Sequence, residues 1–227
     1  MIVAIDGPAG AGKSTVARAV ARRLQVAYLD TGAMYRAITW LALERGIPSS
    51  DAAALEALAR AHPVEIEPTD DGDRVRVDGR DVTAAIRRPE VADEVSEVAA
   101  HPGVRDQVVA AQRALLATGD WVSDGRDVGT TVCPTADLKV FLTASIEERA
   151  RRRHAELAAR GIEMDEPRVL EDVRRRDHLD STRATSPLRV AEGAVVVDSS
   201  DLDAEEVADL IVGLADEVRA GAGRRPA

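Results

Sequence analysis

Residues Ile2 to Ile5 form a β-branched apolar run ending at Asp6, the pattern of a buried parallel strand. A glycine-rich turn follows. From Ser14 to Leu24 the apolar residues Val16, Ala17, Val20, Ala21 and Leu24 recur at helical spacing. Val26 to Leu29 reads as a second strand, after which Asp30-Thr31-Gly32 caps a helix running through Met34, Ile38, Leu41 and Ala42. Asp51 to Ala61 makes another helix, capped by Ser50 or Asp51 and closed by His62-Pro63.

The texture then changes. PVEIEPTDDGDRVRVDGRDVT alternates apolar and polar residues around DDGD and DGR turns, which predicts a small antiparallel ribbon inserted in a chain of alternating strands and helices. Helices are expected at Glu90 to Ala100 and Val104 to Ala117, separated by His101-Pro102-Gly103, and core strands at Trp121 to Ser123 and Leu138 to Leu142. Ser145-Ile-Glu-Glu148 fits a capping box opening a long arginine-rich helix. Gly161 to Pro167 breaks it, and a second charged helix ends near Asp180. A last strand is expected over Ala194 to Val197 and a last helix over Leu202 to Val218, with a frayed, disordered tail at 221–227. The best single account is one α/β domain with a parallel sheet and two excursions.

Composition narrows the classes. At 227 residues, 45% hydrophobic and 31% charged, the chain suits a soluble globular domain. A net charge of −10 gives no global field for nucleic acid or an anionic membrane, so neither is expected as a partner. No apolar run is long enough for a membrane span, and a strand beginning at Ile2 leaves no room for a signal peptide. The single Cys133 is expected as a small buried hydrophobe in a reducing cytoplasm. His62, His101, His154 and His178 form no ligand spacing. A monomer is expected, because nothing resembles an exposed interface stripe.

The stretch GPAGAGKS matches the phosphate-loop pattern at Gly7, Gly12, Lys13 and Ser14. Glycines let backbone N–H groups turn towards phosphate oxygens, and the following helix adds its dipole. Lys13 offers a mobile charge to the β and γ phosphates, and the Ser14 hydroxyl can ligate Mg²⁺. Of the 30 basic residues only Lys13 and Lys139 are lysines, and one falls on the position that demands it. The nucleotide-binding set is therefore Gly7, Pro8, Ala9, Gly10, Ala11, Gly12, Lys13, Ser14 and Thr15.

Such a loop leaves the acceptor open. A chain without asparagine cannot carry the Asn-Lys-x-Asp guanine motif of a switch GTPase. Nor does it show the apolar strand ending in Asp-Glu, or the signature motif, of transporter and motor ATPases. Small-molecule kinases remain, and their second mark is a set of arginines converging on the transferred group. Between Ser145 and Val190 eleven arginines and ten carboxylates nearly cancel, so most are solvated helix faces. Better candidates sit at strand and loop ends: Arg36, Arg126 in SDGRDVGT, and Arg176 and Arg183 on either side of Asp180.

DGPAGAGKST, DTGAMYR at Asp30 to Arg36, DGRDVGT at Asp124 to Thr130, and RRRDHLDSTR at Arg174 to Arg183 together resemble the bacterial cytidylate (CMP) kinase family. The resemblance runs from Ile2 to about Val218. The loop here ends Lys-Ser-Thr where some members have Lys-Gly-Thr. The resemblance implies a P-loop NTPase-type parallel sheet flanked by helices, with a small β-containing NMP-binding insertion and a helical lid. It divides the chain into a core (1–31, 118–150 and 185–220), an acceptor-binding excursion (32–117) and a lid (151–184). It implies transfer from ATP, with Mg²⁺, to CMP and dCMP.

By the same resemblance, Lys13, Arg126, Arg176 and Arg183 form the catalytic set. Arg36, Arg126 and Arg183 hold the CMP phosphate, and Arg176 lies close to the transferring group. Ser96, Arg105 and Asp127 read cytosine, Asp180 binds the sugar, and Thr31 supplies a hydroxyl at the acceptor site. The chemistry agrees in outline. A carboxylate accepts from the cytosine amino group and an arginine donates to the ring acceptors, whereas uracil would set a carbonyl against Asp127. Discrimination of roughly 10² or more follows. Each residue also has a bland reading: Ser96 facing solvent, Asp127 as a turn cap, Asp180 paired structurally with Arg176 or Arg183. Asp124 holds either a Mg²⁺-bound water or a structural salt bridge. A kinase for UMP or a small metabolite, or a slow nucleotide-dependent switch, are the other functions open at this point.

Overall fold

The computed structural model describes residues 1–69 and 72–222. Its first three elements follow the sequence pattern: strand β1 (Ile2–Asp6), helix α1 (Lys13–Leu24) and strand β2 (Ala27–Asp30). Asp30 then caps α2 (Thr31–Glu44), accepting from the Ala33 N–H at 3.0 Å. Asp51, rather than Ser50, caps α3 (Ala52–Ala61), accepting from the Ala54 N–H at 3.0 Å.

The ribbon is a three-stranded antiparallel sheet of β3 (Val64–Thr69), β4 (Gly72–Val77) and β5 (Arg80–Asp81). The first turn expected in it, at Asp70 and Asp71, lies outside the described residues. Two helices follow, α4 (Pro89–Val98) and α5 (Pro102–Leu116). Pro102, expected in the break between them, opens α5 instead, where a missing N–H costs nothing and the fixed φ is helical.

Strand β6 (Trp121–Gly125) runs two residues beyond its expected end, so Asp124 and Gly125 belong to the sheet. β7 (Leu138–Thr143) and β8 (Val195–Asp198) complete it. Between β6 and β7 the residues Val128–Val132 form a π-helical turn that apolar periodicity did not announce. A short 3₁₀ turn at Ala85–Arg87 was likewise not anticipated.

The arginine-rich pair is α6 (Ile146–Ala159) and α7 (Glu166–Thr182). Ser145 caps α6 by accepting from the Glu148 N–H at 3.2 Å. The expected break at 161–167 is shorter, because Asp165 caps α7 and Pro167 sits inside its first turn. The last helix, α8 (Ala204–Ala222), takes in Gly221 and Ala222, which were expected in the tail; 223–227 lie outside the described residues.

The main sheet is parallel throughout, in the order β2-β6-β1-β7-β8. Its strands are largely buried except the edge strand β8, where only Val197 is buried. Helices α1 and α8 cover one face through a core that includes Val3, Ile5, Val16, Val20, Val140 and Ile211. The opposite face packs Ala4, Leu29 and Val128 against Val109 and Leu116 of α5. A separate core joins α2, α3, α4 and the ribbon around Met34, Ile38, Leu55, Val75 and Ile86. The α6–α7 pair has its own small core of Ala150, Leu157, Val169 and Val173. No helix among the described residues is long and apolar enough to cross a membrane. Cys133 is half-buried and packs at the edge of the Leu29–Trp121 cluster.

Candidate active site

The carboxyl ends of β1, β6 and β2 finish side by side, in register at Asp6 with Gly125 and at Asp30 with Asp124. In an open parallel sheet this edge is where ligands bind. Here it opens into a cleft of about 1040 Å³, walled by the phosphate loop, the start of α2, α4, Arg105, the end of β6 and the α6–α7 pair. That volume is at the upper end of what one small ligand fills.

The loop from Gly7 to Gly12 forms one end. A side chain at Gly7 would strike the Leu142 carbonyl, and Gly12 holds φ +85°, which a glycine adopts without strain. Lys13 is buried, and its Nζ donates to the Pro8 carbonyl at 2.7 Å. Burial, and next Arg126, push the Lys13 ammonium down to about 7. The Ser14 hydroxyl donates to Asp124 Oδ2 at 2.9 Å, and Tyr28 donates to Asp124 Oδ1 at 2.6 Å. Burial, and next the Asp30 carboxylate, hold the Asp124 carboxyl above its usual range. Of the two readings of Asp124, the salt bridge finds no arginine among the described ion pairs. Its oxygens take hydroxyl donors instead.

Across the cleft every sequence-predicted acceptor residue is present, and most arginines are already paired. Arg36 bonds Asp30 Oδ2 at 2.6 Å. Burial would raise Asp30, but Arg36 and Arg87 outweigh it and hold this carboxyl below its usual range. Arg126 Nε donates to Asp180 Oδ2 at 2.8 Å, so the partner of Asp180 is neither Arg176 nor Arg183. Burial opposes the Arg126 charge, yet Asp180 more than offsets it and raises its pKa.

Arg105 is 2% exposed, bonds Asp127 Oδ2 and lies 5.3 Å over the Tyr35 ring. Arg183 completes the group, with a nitrogen 3.5 Å from Asp127 Oδ1, and burial followed by Arg105 lowers its pKa. Asp127 occupies the cap position of the π-helical turn without making a capping hydrogen bond, so its carboxylate serves the arginines.

Ser96 is buried on the cleft wall of α4 rather than facing solvent. Thr31 is also buried, and its hydroxyl donates inward to the Asp124 carbonyl at 2.7 Å. Arg176 differs from the other arginines. It bonds the Ala92 carbonyl at 2.8 Å, and burial, then Arg126 and Arg153, push it down to about 10. Buried like charges gathered without equal compensation mark a place where an anion belongs.

The match to the family model described as cytidylate kinase covers residues 3–217. The chain belongs to the cytidylate kinase family.

A cytidylate kinase of Geobacillus kaustophilus is 52% identical to it, over 95% of this chain and 96% of that protein. One from Carboxydothermus hydrogenoformans is 51% identical, over 91% of this chain and 93% of that protein. Among solved structures, a gluconokinase of Sinorhizobium meliloti superposes with a TM-score of 0.50 at 17% identity, covering 99% of this chain and 97% of that one. That likeness concerns the fold alone.

Several residues escaped the sequence reading of this family member. Tyr28 holds Asp124 from the strand before the acceptor motif. Arg149 is buried, with hydrogen bonds to the Ala9 and Ala144 carbonyls and to Asp177, and so braces the phosphate loop from α6. Nothing in an arginine-rich helix distinguishes that arginine from its solvated neighbours. Asp73 reaches from β4 to accept the Asp30 N–H at 2.7 Å, and burial pushes its carboxyl up to about 7. Asp6, at the end of β1, accepts from the Val128 and Gly129 N–H groups at 2.8 and 2.7 Å. A carboxylate closing a buried strand was its only signal.

Proposed function

We propose that the protein transfers the γ-phosphoryl group of MgATP to CMP and dCMP, acting as a cytoplasmic monomer without a nucleic-acid partner. The observation that carries this reading is the buried Arg105–Asp127–Arg183 group facing a phosphate loop across one cleft. Asp127 accepts from the cytosine amino group, Arg105 donates to the ring acceptors, and Ser96 adds a hydroxyl. Arg36, Arg126 and Arg183 leave their carboxylates in part to hold the acceptor phosphate. Asp180 binds the sugar, and Thr31 stands beside the phosphate.

On the donor side, Gly7 to Thr15 wraps the ATP phosphates with backbone N–H groups. Lys13, its ammonium held down by burial, is stabilised in its charged form by the β and γ phosphates. Arg176, free of any carboxylate partner among the described ion pairs, moves onto the transferring group. The acceptor phosphate is already anionic and attacks in line without a general base, so the residues act by positioning and charge neutralisation.

The donor set suits Mg²⁺: a serine hydroxyl at Ser14 and, through water, a buried Asp124 carboxylate. The bound ion would neutralise charge on the ATP phosphates. No group of three or more His, Cys, Asp or Glu side chains arranged to hold a metal exists among the described residues, so the serine hydroxyl, water and the nucleotide would complete the shell.

The division into core (1–31, 118–150, 185–220), acceptor excursion (32–117) and lid (151–184) belongs to the same proposal. Arg160 and Arg176 bond the carbonyls of Arg87 and Ala92 across the cleft, as a closing lid would. Closure would exclude water and limit ATP hydrolysis. Amide exchange in 160–166 should slow when a bisubstrate analogue binds; unchanged exchange would reject the lid. The function is tested by ADP release from MgATP with CMP, dCMP, UMP, AMP and GMP. Turnover with CMP and dCMP far above the others is expected. Release indifferent to every acceptor would overturn the proposal.

A further inference from the structure

The turn that carries the base-reading carboxylate is capped from elsewhere in the chain. Val128–Val132 is a π-helical turn, and the first N–H groups of any helical turn need acceptors outside it. The residue at the cap position, Asp127, has a side chain suited to that task, yet makes no capping bond. Its oxygens face Arg105 and Arg183 instead. The N–H groups of Val128 and Gly129 are taken one each by the two oxygens of Asp6, at 2.8 and 2.7 Å, across 122 and 123 residues of sequence.

The main chain of Asp6 is held independently of this contact. It lies in register with Gly125 of β6 on one side and Phe141 of β7 on the other. The hydrogen bonds of the Asp6 side chain go to the turn, while its charge also reaches Lys13 of the phosphate loop. Burying a carboxylate is costly, and two N–H donors aimed at its two oxygens are what make it tolerable.

We propose that Asp6 is a positioning residue for acceptor discrimination: it caps the Val128–Val132 turn in place of Asp127, and so frees the Asp127 carboxylate to face the acceptor base. This rests on the reading of Asp127 as the base-reading carboxylate. An amide at position 6 has one acceptor oxygen, and its NH₂ would confront the second N–H. Without both caps, the Asp127 carboxylate is drawn back to its own turn and away from Arg105. The effect specific to the turn falls on the acceptor base, while the Asp6 charge felt by Lys13 is common to every acceptor and cancels in a ratio of two acceptors.

The test uses Asp6→Asn and, as a milder variant with the carboxylate intact, Gly129→Ala. A Cβ at position 129 would lie 3.3 Å from Asp6 Oδ2 and 3.4 Å from the Ala191 Cβ, crowding the same hydrogen bond. For each variant, kcat/KM is measured with CMP and with UMP, and KM with ATP. In Asp6→Asn the CMP-to-UMP ratio should fall about tenfold with the KM for ATP within about twofold, and Gly129→Ala should move the same way by less. Variants that keep the wild-type ratio, or lose ATP and CMP affinity in parallel, overturn the role of Asp6. Should Asp6→Asn not fold, an unchanged ratio in Gly129→Ala is sufficient to overturn it. Wild-type protein indifferent between CMP and UMP would instead reject the reading of Asp127, leaving Asp6 no discrimination to support.

Discussion

The two ends of the cleft are built in different ways. The phosphate loop is nine consecutive residues, Gly7 to Thr15, six of them between β1 and α1 and three in the first turn of α1, and its chemistry is mostly backbone. The opposite wall collects Arg36 from α2, Ser96 from α4, Arg105 from α5, Arg126 and Asp127 from the end of β6, and Asp180 and Arg183 from α7 and its end. Its charges are also pre-paired: Arg36 with Asp30, Arg126 with Asp180, and Arg105 and Arg183 with Asp127. A buried pair loses most when one partner is removed, because the other charge is left uncompensated. The loop end is therefore expected to fail uniformly when mutated, and the far wall to fail selectively.

The strongest test of that contrast is Lys13→Ala. It removes the lysine charge at the loop end and should lower kcat by about 10²–10³-fold with every acceptor alike. A steady-state comparison with CMP and UMP checks it, and retained activity would end the contrast. Asp127→Ala probes the other wall. It should lower the ratio of kcat/KM for CMP over UMP by about 10²-fold, since uracil gains nothing from that carboxylate. The ratio is insensitive to a fraction of unfolded protein, and equal losses on both substrates would remove Asp127 from base reading.

The smallest effect concerns how the ribbon is tied to the acceptor wall. Asp73 has its carboxyl at about 7 in the folded protein against an ordinary 3.8. Between those pH values the folded protein keeps a proton that the unfolded chain has released, so this group makes stability fall as pH rises through the window. Asp73→Asn keeps an acceptor for the Asp30 N–H and abolishes that loss. Its Tm relative to wild type should climb steadily from the bottom to the top of the window. A difference in Tm independent of pH would contradict the buried, titrating carboxylate.

The same contrast governs what could be read in advance. The loop, its strand and its helix were legible because motif, periodicity and geometry coincide over a few residues. The order of strands and helices was legible for the same reason, down to the Asp30 and Ser145 caps. Element ends were less so: Pro102 and Pro167 looked like breaks and open helices instead, since proline suits a first turn as well as a loop. The π-helical turn was hidden, because the acceptor that satisfies its first N–H groups lies in β1.

By itself, then, the sequence determined a parallel α/β sheet with a phosphate loop, an antiparallel excursion, an arginine-rich helical pair and the family resemblance. Tertiary structure decided which arginine meets which carboxylate. Asp180 went to Arg126 rather than to either flanking arginine, and Asp127 went to Arg105 and Arg183 rather than to its own turn. The physical reason is that local spacing fixes backbone hydrogen bonds, which are short-range and periodic. The partners of a buried charge are set by whichever strand ends and helix faces the sheet brings together.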